Sequence, residues 1–213
     1  MTLTEARHQP EAALEVAVDS GRPITERLAA LARLRIDAAA RVRAIAVPLD
    51  ATEAGSVPIV AGVGMVRALI DDGMRVLPTA GGLGTWVRAE RLPESWDAAT
   101  TALRLADVAR PLVDATELGA LLLVARAFEP SSPPEDVRVL ASLDDRSREV
   151  LHALVMNESL RAASAALGMH HSTMQSRHES LTRDLGYDPR SPLGRARYLT
   201  SDLLLRLDGA GGR

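Results

Sequence analysis

The spacing of apolar residues separates a mixed first part of the chain from a helical second part. Residues 11–33 contain two short stretches with helical spacing on either side of Gly21, which predicts a helical hairpin. In "RVRAIAVPL", by contrast, Val42, Ala44 and Ala46 alternate with other positions, as side chains on one face of a strand do. The chain is therefore predicted to change from helix to strand before this run.

Further runs in the first part have the composition of strands. "GMVRALI" and "MRVLP" flank "DDG", and Asp72-Gly73 predicts a hairpin here because glycine accepts a positive φ angle in a tight turn. "GGLGTWV" predicts one more strand.

Two helices are predicted after these strands. "LPESWDAATTALRLADVA" places Trp96, Ala99, Leu103 and Ala106 on one stripe, and "DATELGALLLVARAF" predicts a second helix. Strands grouped before helices indicate an α+β fold with antiparallel strands rather than alternating parallel units.

A Pro- and Ser-rich segment, "EPSSPPED", precedes a wholly helical remainder, and this composition is typical of a linker. We therefore predict four regions along the chain. They are an N-terminal helical segment (1–33), an α+β domain (34–128), the linker (129–136) and an all-helical domain (137–213).

The helical domain contains the pattern of a helix-turn-helix. A helix that begins at Ser147 is ended by Asn157, and Ser159 is then a suitable N-cap for "LRAASAAL". Gly168 suits the left-handed geometry that closes a helix. The small side chains of this short helix allow the next helix to cross closely, as a helix-turn-helix requires.

The next predicted helix begins near His171 or Ser172 and has two faces. Its inward stripe consists of Met174, His178, Leu181 and Leu185, where His178 is expected to be a core histidine. Its outward row consists of His171, Ser172, Gln175, Ser176 and Glu179. Such a row near a helix N-terminus suits the major groove of DNA, where Gln bonds adenine in a fork and Ser or His bonds other base edges or phosphates.

Two other interpretations of this segment compete with DNA binding: a metal site and a helical bundle without DNA binding. A metal site built from His170, His171 and His178 is disfavoured, because adjacent histidines on a helix diverge by about 100° and no cysteine or paired acidic ligand completes a tetrahedral set. A helical bundle that does not bind DNA is favoured by Glu179 and Asp184 on the recognition face. We predict no metal site.

Composition limits the class of protein. With 213 residues, 46% of them apolar, the chain can form one large or two small folded domains. It has no cysteine, which excludes disulfides, thiolate metal sites and thiol nucleophiles. The net charge is −3, so any contact with DNA must be local. Because the sequence shows neither a bilayer-spanning apolar run nor the order of a secretory signal, we expect a cytoplasmic protein without membrane contact.

The stretch "AASAALGMHHSTMQSRHESL" resembles the helix-turn-helix of PucR/CdaR-type bacterial transcriptional regulators, and "LGYDPRSPLGRARYLTSDLLLRL" resembles the closing helix of that family. The positions that match the family motif are His170, Ser172, Thr173, Met174, Arg177 and Leu181. Positions that are often basic in the family hold His171, Gln175 and Glu179, and a usually apolar one holds His178. The resemblance implies DNA binding, and the departures bear on affinity and target sequence.

The resemblance extends upstream. "GGLGTWVRAERLPESWDAATTALRLADVARPLVDATELGALLLVA" resembles the GGDEF-like, or CdaR-type, middle domain of the same regulators, so that most of residues 34–207 are covered. This domain is named for its likeness to nucleotide cyclases, which need acidic residues to hold a divalent metal against the triphosphate. No acid follows the glycines of Gly81-Gly82-Leu83-Gly84, so we expect a tight turn into a strand and no catalysis.

The sequence therefore predicts a transcriptional regulator that is not an enzyme and has no cofactor. An α+β domain is expected to serve dimerisation or signal relay. A homodimer is expected to bind double-stranded DNA, and an unidentified small-molecule effector is expected to control this binding. Since many relatives carry a further sensory domain, we expect a short variant or the terminal part of a longer product. The alternatives are a protein-interaction module of the same fold and a residual nucleotide-binding domain. The predicted DNA-binding residues are His170, His171, Ser172, Thr173, Gln175, Ser176, Arg177 and Glu179.

Overall fold

The computed structural model describes residues 3–61 and 64–210, with side chains described between residues 11 and 208 of these ranges. It divides into two compact units, unit 1 (Met1–Arg126) and unit 2 (Ala127–Arg213). Unit 1 combines helices with a mainly antiparallel sheet and unit 2 is helical, so the predicted α+β fold class with a helical second part is confirmed. The first two and last three residues of the predicted regions lie outside the described residues.

The strands of unit 1 are β1 (Arg41–Val47), β2 (Val57–Ala61), β3 (Gly64–Asp71), β4 (Gly81–Leu83), β5 (Val87–Arg88) and β6 (Leu112–Asp114). Its helices are α1 (Leu3–Val18), α2 (Ile24–Arg33), α3 (Leu92–Leu105) and α4 (Leu121–Arg126), with 3-10 turns at Ala89–Arg91 and Ala115–Leu118. Helices α1 and α2, predicted as a separate segment, belong to unit 1 and contribute to its core.

Strand β1 lies at the centre of a sheet with the order β2-β3-β1-β4-β6, and β5 pairs with the start of β1. Neighbouring strands are antiparallel except β4 and β6, which are parallel and are connected through α3. Because side chains alternate along a strand, β1 contributes to both faces of the sheet. Val42, Ala44 and Ala46 pack with the helices, whereas Ile45 and Val47 form a smaller cluster on the other face.

Helix α3 lies directly against β4 and the segment that follows it, because one residue in each has no side chain. A Cβ atom added at Gly82 would lie 2.1 Å from the carbonyl oxygen of Ala99, and one added at Gly84 would lie 2.2 Å from that of Ser95. Both obstructing atoms belong to the helix backbone, so they cannot rotate away. The pair Gly81-Gly82, predicted as a tight turn into a strand, instead lies within β4 itself, and Gly82 and Gly84 provide a packing surface for α3.

The buried Ser95 hydroxyl joins α3 to the sheet. It accepts a hydrogen bond from the backbone N–H of Ala44 (2.9 Å) and donates one to the carbonyl of Thr85 (2.6 Å). Ala44 N is buried in the central strand, where an unpaired donor would be costly. The serine thus replaces a strand partner at this position.

The other face of the sheet contains a buried ion pair. Arg43 is only 7% exposed and donates to Asp71 (2.8 Å) and to Asp114 (3.1 Å). Burial alone raises the pKa of the Asp71 carboxyl, but hydrogen bonds from Arg43 and from backbone N–H groups hold it below its usual range.

Two arginines of β1 also contact an aromatic ring. The guanidinium carbons of Arg41 and Arg43 lie 5.0 and 4.7 Å from the ring centroid of Trp86.

The predicted hairpin at Asp72-Gly73 is wrong. Strand β3 is paired with β2 on one side and with β1 on the other, so neither edge is free for residues 74–78. The Asp71 side chain instead accepts the Gly73 N–H (2.8 Å), which bends the chain away from the sheet. The true partner, β2, was not predicted because it is short and contains Pro58, a residue compatible with an edge strand.

Two further expectations need correction. "GGLGTWV" forms two short strands rather than one, because β4 and β5 pair with different parts of β1. The helix predicted over 114–128 is interrupted, since the Asp114 side chain accepts from the backbone N–H (2.8 Å) and hydroxyl (2.6 Å) of Thr116 and forms a local turn. Only the short α4 follows as α-helix, and Ala106 lies just beyond the end of α3.

Unit 2 consists of α5 (Glu135–Ser142), α6 (Asp145–Met156), α7 (Leu160–Ala166), α8 (His171–Leu185) and α9 (Pro192–Ala210). The last two residues of the predicted linker begin α5, where Asp136 accepts two hydrogen bonds (2.8 and 2.7 Å) from Arg197 of α9. Leu151, Leu154 and Met174 are fully buried in the core of this unit. Among the described helices, none is long and apolar enough to cross a membrane.

The substitution Gly82→Ala tests the contact between α3 and β4. We expect the free energy of unfolding to fall by about 3 kcal/mol or more, because the added methyl group meets backbone atoms that move only if α3 separates from the sheet. Denaturant unfolding gives this quantity. Gly21→Ala is the matched control, since its nearest neighbour is the flexible Asp19 side chain at 3.2 Å. Equal losses in both variants would contradict the close approach.

Candidate nucleic-acid interface

Helix α7 and the turn after it are closed by local hydrogen bonds. The Ser159 hydroxyl accepts the backbone N–H three residues on (3.0 Å), so the predicted N-cap is confirmed. At the other end Gly168 has a φ of +61°, its N–H donates to Ala165 (3.2 Å), and the N–H of Met169 donates to Ser164 (2.8 Å). This pair of bonds is a Schellman motif, which ends the helix and turns the chain sharply.

The small residues of α7 allow close packing. Ala163 and Ser164 are buried where α7 contacts α6 and α8. Met174, Leu181 and Leu185 of α8 are buried as predicted. These side chains fix which face of α8 is turned away from the core.

His178 lies at the edge of the core rather than within it. Its side chain is half-buried, and its Nε2 atom lies 2.9 Å from Oδ1 of Asp188. The expectation that His178 is a core histidine is therefore wrong about its position. The ring does have a hydrogen-bond partner.

All eight residues predicted to bind DNA are exposed, and seven of them lie in α8. The eighth, His170, is the N-cap, and its Nδ1 atom accepts a long hydrogen bond from the Ser172 N–H (3.4 Å) and lies 2.8 Å from the Ser172 hydroxyl. The Gln175 amide donates to Glu179 at 3.4 Å. The exposed set is His170, His171, Ser172, Thr173, Gln175, Ser176, Arg177 and Glu179.

Most arginines of unit 2 are engaged by acidic side chains or by carbonyl groups, but two near this surface are not. The exposed guanidinium groups of Arg161 and Arg177 make no hydrogen bond or ion pair with the part of the chain that the structure describes. Arg177 lies near Asp144, whose pKa is lowered by hydrogen bonds from Ser147 and additionally by the Arg177 charge. Sequence reasoning missed Arg161, although its place in the first turn of α7 could have indicated it.

A second residue missed by sequence reasoning is Arg190, in the segment between α8 and α9. Its guanidinium donates to the carbonyl groups of Leu154 (3.0 Å), Asn157 (3.4 Å) and Glu158 (2.7 Å), at the corner between α6 and α7. Asp188 in the same segment accepts the Arg190 N–H (2.8 Å) in addition to contacting His178 of α8. The segment therefore braces α8 against the α6–α7 corner.

His170 caps α8 and His178 contacts Asp188, while His171 is exposed. Within the described residues, no group of three or more His, Asp or Glu side chains could hold a metal ion.

Comparisons with known proteins provide little further information. No family model matches the chain, and no curated protein is similar to it. Similar solved structures include a protein from Bifidobacterium adolescentis described as a regulator of polyketide synthase expression. It is 16% identical, with 95% of this chain and 94% of that chain covered and a TM-score of 0.36. The assignment of a function therefore depends on the residues of this chain.

Arg190→Ala tests the brace. We expect the variant to lose about 2–3 kcal/mol in the free energy of unfolding of unit 2, because three carbonyl groups lose a charged donor. Denaturant unfolding and hydrogen exchange of α7 amides measure the effect. Arg183→Ala is the control, because Arg183 makes one long bond of 3.4 Å. If α7 amides exchange no faster in the Arg190 variant than in the control, Arg190 does not brace this corner.

Asp188 predicts a pH dependence of stability. Its pKa is lowered by the Arg190 N–H and then by the hydrogen bond with His178, so the carboxylate contributes stability above its unfolded pKa of about 4 and loses that contribution as the pH falls. Asp188→Asn should therefore be less stable than the original chain at about pH 7, and the difference should shrink at about pH 3. Asp184→Asn is the control, since Asp184 is exposed near the end of α8, four residues before Asp188. A difference that does not vary with pH would contradict a role for the charge.

Proposed function

We propose that the protein is a DNA-binding transcriptional regulator of the PucR/CdaR type, in which the N-terminal half of α8 enters the major groove. The observation that carries this proposal is the arrangement of α7, the Gly168 turn and α8, with the polar face of α8 exposed from its first residue. In a helix-turn-helix the second helix reads base edges while the first crosses the phosphate backbone. The resemblance of "AASAALGMHHSTMQSRHESL" to the family motif supports the same interpretation.

The exposed residues of α8 have the chemistry for distinct roles. Backbone N–H groups at the helix N-terminus, together with Ser172 and Thr173, suit contact with a phosphate. Gln175 and Ser176 lie on the next turn and suit base edges. The Gln175–Glu179 hydrogen bond is long at 3.4 Å, so the amide can exchange it for adenine.

The two arginines without partners extend the proposed contact surface. Arg161 lies on α7 and Arg177 on α8, and both guanidinium groups are exposed. Because neither is engaged by an acidic side chain within 4 Å, each can bind a phosphate without breaking an ion pair in the described part of the chain. They provide the local positive charge that the overall net charge of −3 does not.

For unit 1 we propose dimerisation or signal relay without catalysis. The protein then acts as a homodimer on two half-sites about one helical turn apart, or a multiple of that. The packing of α3 against Gly82 and Gly84 supports a structural role for these glycines, because helix backbone occupies the side of the strand that a phosphate group would need.

A protein-interaction module without DNA binding is the second candidate. It is favoured by the exposed carboxylates of Glu179 and Asp184 on α8 and by the slight excess of acidic residues over arginines in unit 2.

The experiment selects bound sequences from a random duplex library with the full chain and then measures affinity at several salt concentrations. Gln175→Ala should lose about 1–3 kcal/mol and relax the preference at one base position. Arg161→Ala and Arg177→Ala should weaken all sequences together and reduce the salt slope by about one each. Arg138→Ala on α5 is the control, because Arg138 is paired with Glu135 outside the α7–α8 motif.

Two results separate the candidates. A selected sequence whose binding responds to the Gln175, Arg161 and Arg177 variants but not to the Arg138 variant supports the regulator. If no sequence is enriched, or if the α8 variants bind like the original chain while remaining folded, DNA reading by α8 is excluded and the interaction module is favoured.

A further inference from the structure

Unit 1 contains an open cavity of about 590 Å³ on the helical face of its sheet. It lies between α1, the segment that follows α2, the start of β1 and the segment after β3. This volume falls within the range of sites that bind small organic molecules.

The floor of the cavity is apolar. Leu14, Val42 and Val57 are buried in the main core of unit 1, and Ile36 and Ile70 pack against that core with one side facing the cavity. A hydrocarbon or aromatic group placed here would leave water for an apolar surface, which favours binding in proportion to the area covered.

Arg35 provides one charged group at this site. Its backbone has a φ of +59° at the end of α2, where the Arg35 and Ile36 N–H groups complete a Schellman motif. Glycine takes this conformation without steric cost, whereas arginine does not. The Arg35 side chain is exposed, and its guanidinium makes no hydrogen bond or ion pair within the described residues. The position therefore holds a cation that the fold itself does not use.

The second arginine at the cavity behaves differently. Arg75 donates to the carbonyl groups of Ile70 (3.2 Å) and Ala54 (3.0 Å), and so joins the two segments that form one wall. Two of its five N–H donors, one on Nε and one on Nη1, are used in this way. Of the two lining arginines, Arg35 is thus the one whose guanidinium no group in the described residues holds in place.

Two carboxylates restrict what can bind beside Arg35. Asp37 and Asp72 line the same cavity, and each is held through one oxygen by a backbone N–H, at 2.7 and 3.1 Å. Their negative charges repel a ligand that carries several anionic groups, such as a phosphate ester. A single carboxylate at Arg35, attached to an apolar group on the cavity floor, satisfies both the cation and the apolar surface.

We infer that this cavity is a binding site for a small apolar monocarboxylic acid. If the proposed function is correct, it is the effector site of the regulator. The bound acid places its carboxylate against the guanidinium of Arg35 and its hydrocarbon part on Ile36, Val42 and Ile70.

The test uses octanoate as the probe and the full chain as the receptor, with binding measured by isothermal titration calorimetry. Octanoate should bind at one site. Octan-1-ol lacks the charge and should bind at least about tenfold more weakly than octanoate. Affinity should rise from hexanoate to decanoate by up to about fourfold per methylene group, as apolar area is buried. The absence of binding, or equal binding of the acid and the alcohol, would overturn the inference.

Variants locate the site. Arg35→Gln should weaken octanoate binding by about tenfold or more while leaving octan-1-ol binding unchanged. Arg33→Gln is the matched control, because Arg33 is exposed two residues earlier, at the end of α2, and does not line the cavity. A thermal unfolding curve for each variant establishes that it is folded. Equal octanoate affinity in the two variants would exclude Arg35 as the anchor and overturn the proposed site.

The effector role has its own readout, the DNA affinity of the full chain with and without saturating octanoate. A change of about fivefold or more supports it, and no change overturns it while the binding site stands. If octanoate binds but no DNA sequence is selected, the proposed function fails and the binding site stands. If a DNA sequence is selected but octanoate does not bind, the binding site fails and the proposed function stands.

Discussion

The distance between α3 and strand β4 is the constraint on which unit 1 depends. Helix backbone lies where any side chain on Gly82 or Gly84 would be, so the two elements meet through main-chain atoms. Because the helix is this close, the Ser95 hydroxyl reaches Ala44 in the central strand. The same strand supplies side chains to the clusters on both faces of the sheet. A shift of α3 would therefore disturb a buried hydrogen bond and the larger of the two clusters together.

Unit 2 uses main-chain contacts in a different way. The corner between α6 and α7 presents carbonyl groups without helix partners. Arg190, in a segment more than thirty residues away in sequence, donates hydrogen bonds to them. The short α7 has little apolar surface of its own, so its orientation depends on its caps and on this corner. The direction in which the polar face of α8 points is consequently set by groups that do not belong to that face.

Local patterns explain which features could be predicted from the sequence. The alternation in β1, the Ser159 cap and the Gly168 turn follow from residues within a few positions of each other, and all are present. The exposure of the predicted DNA-binding residues follows from helical periodicity, while their role stays a prediction. The hairpin failed because strand pairing depends on which edges distant segments already occupy. The Arg190 brace and the cavity at Arg35 likewise arise from contacts between segments far apart in the chain.

The placement of the aromatic residues makes the two units optically distinct. Both tryptophans, Trp86 and Trp96, lie in unit 1, and both tyrosines, Tyr187 and Tyr198, lie in unit 2. The guanidinium groups of Arg41 and Arg43 both lie close to the ring of Trp86, and Arg43 also forms the buried ion pair with Asp71. Tryptophan fluorescence of the intact chain is thus a natural reporter of unit 1.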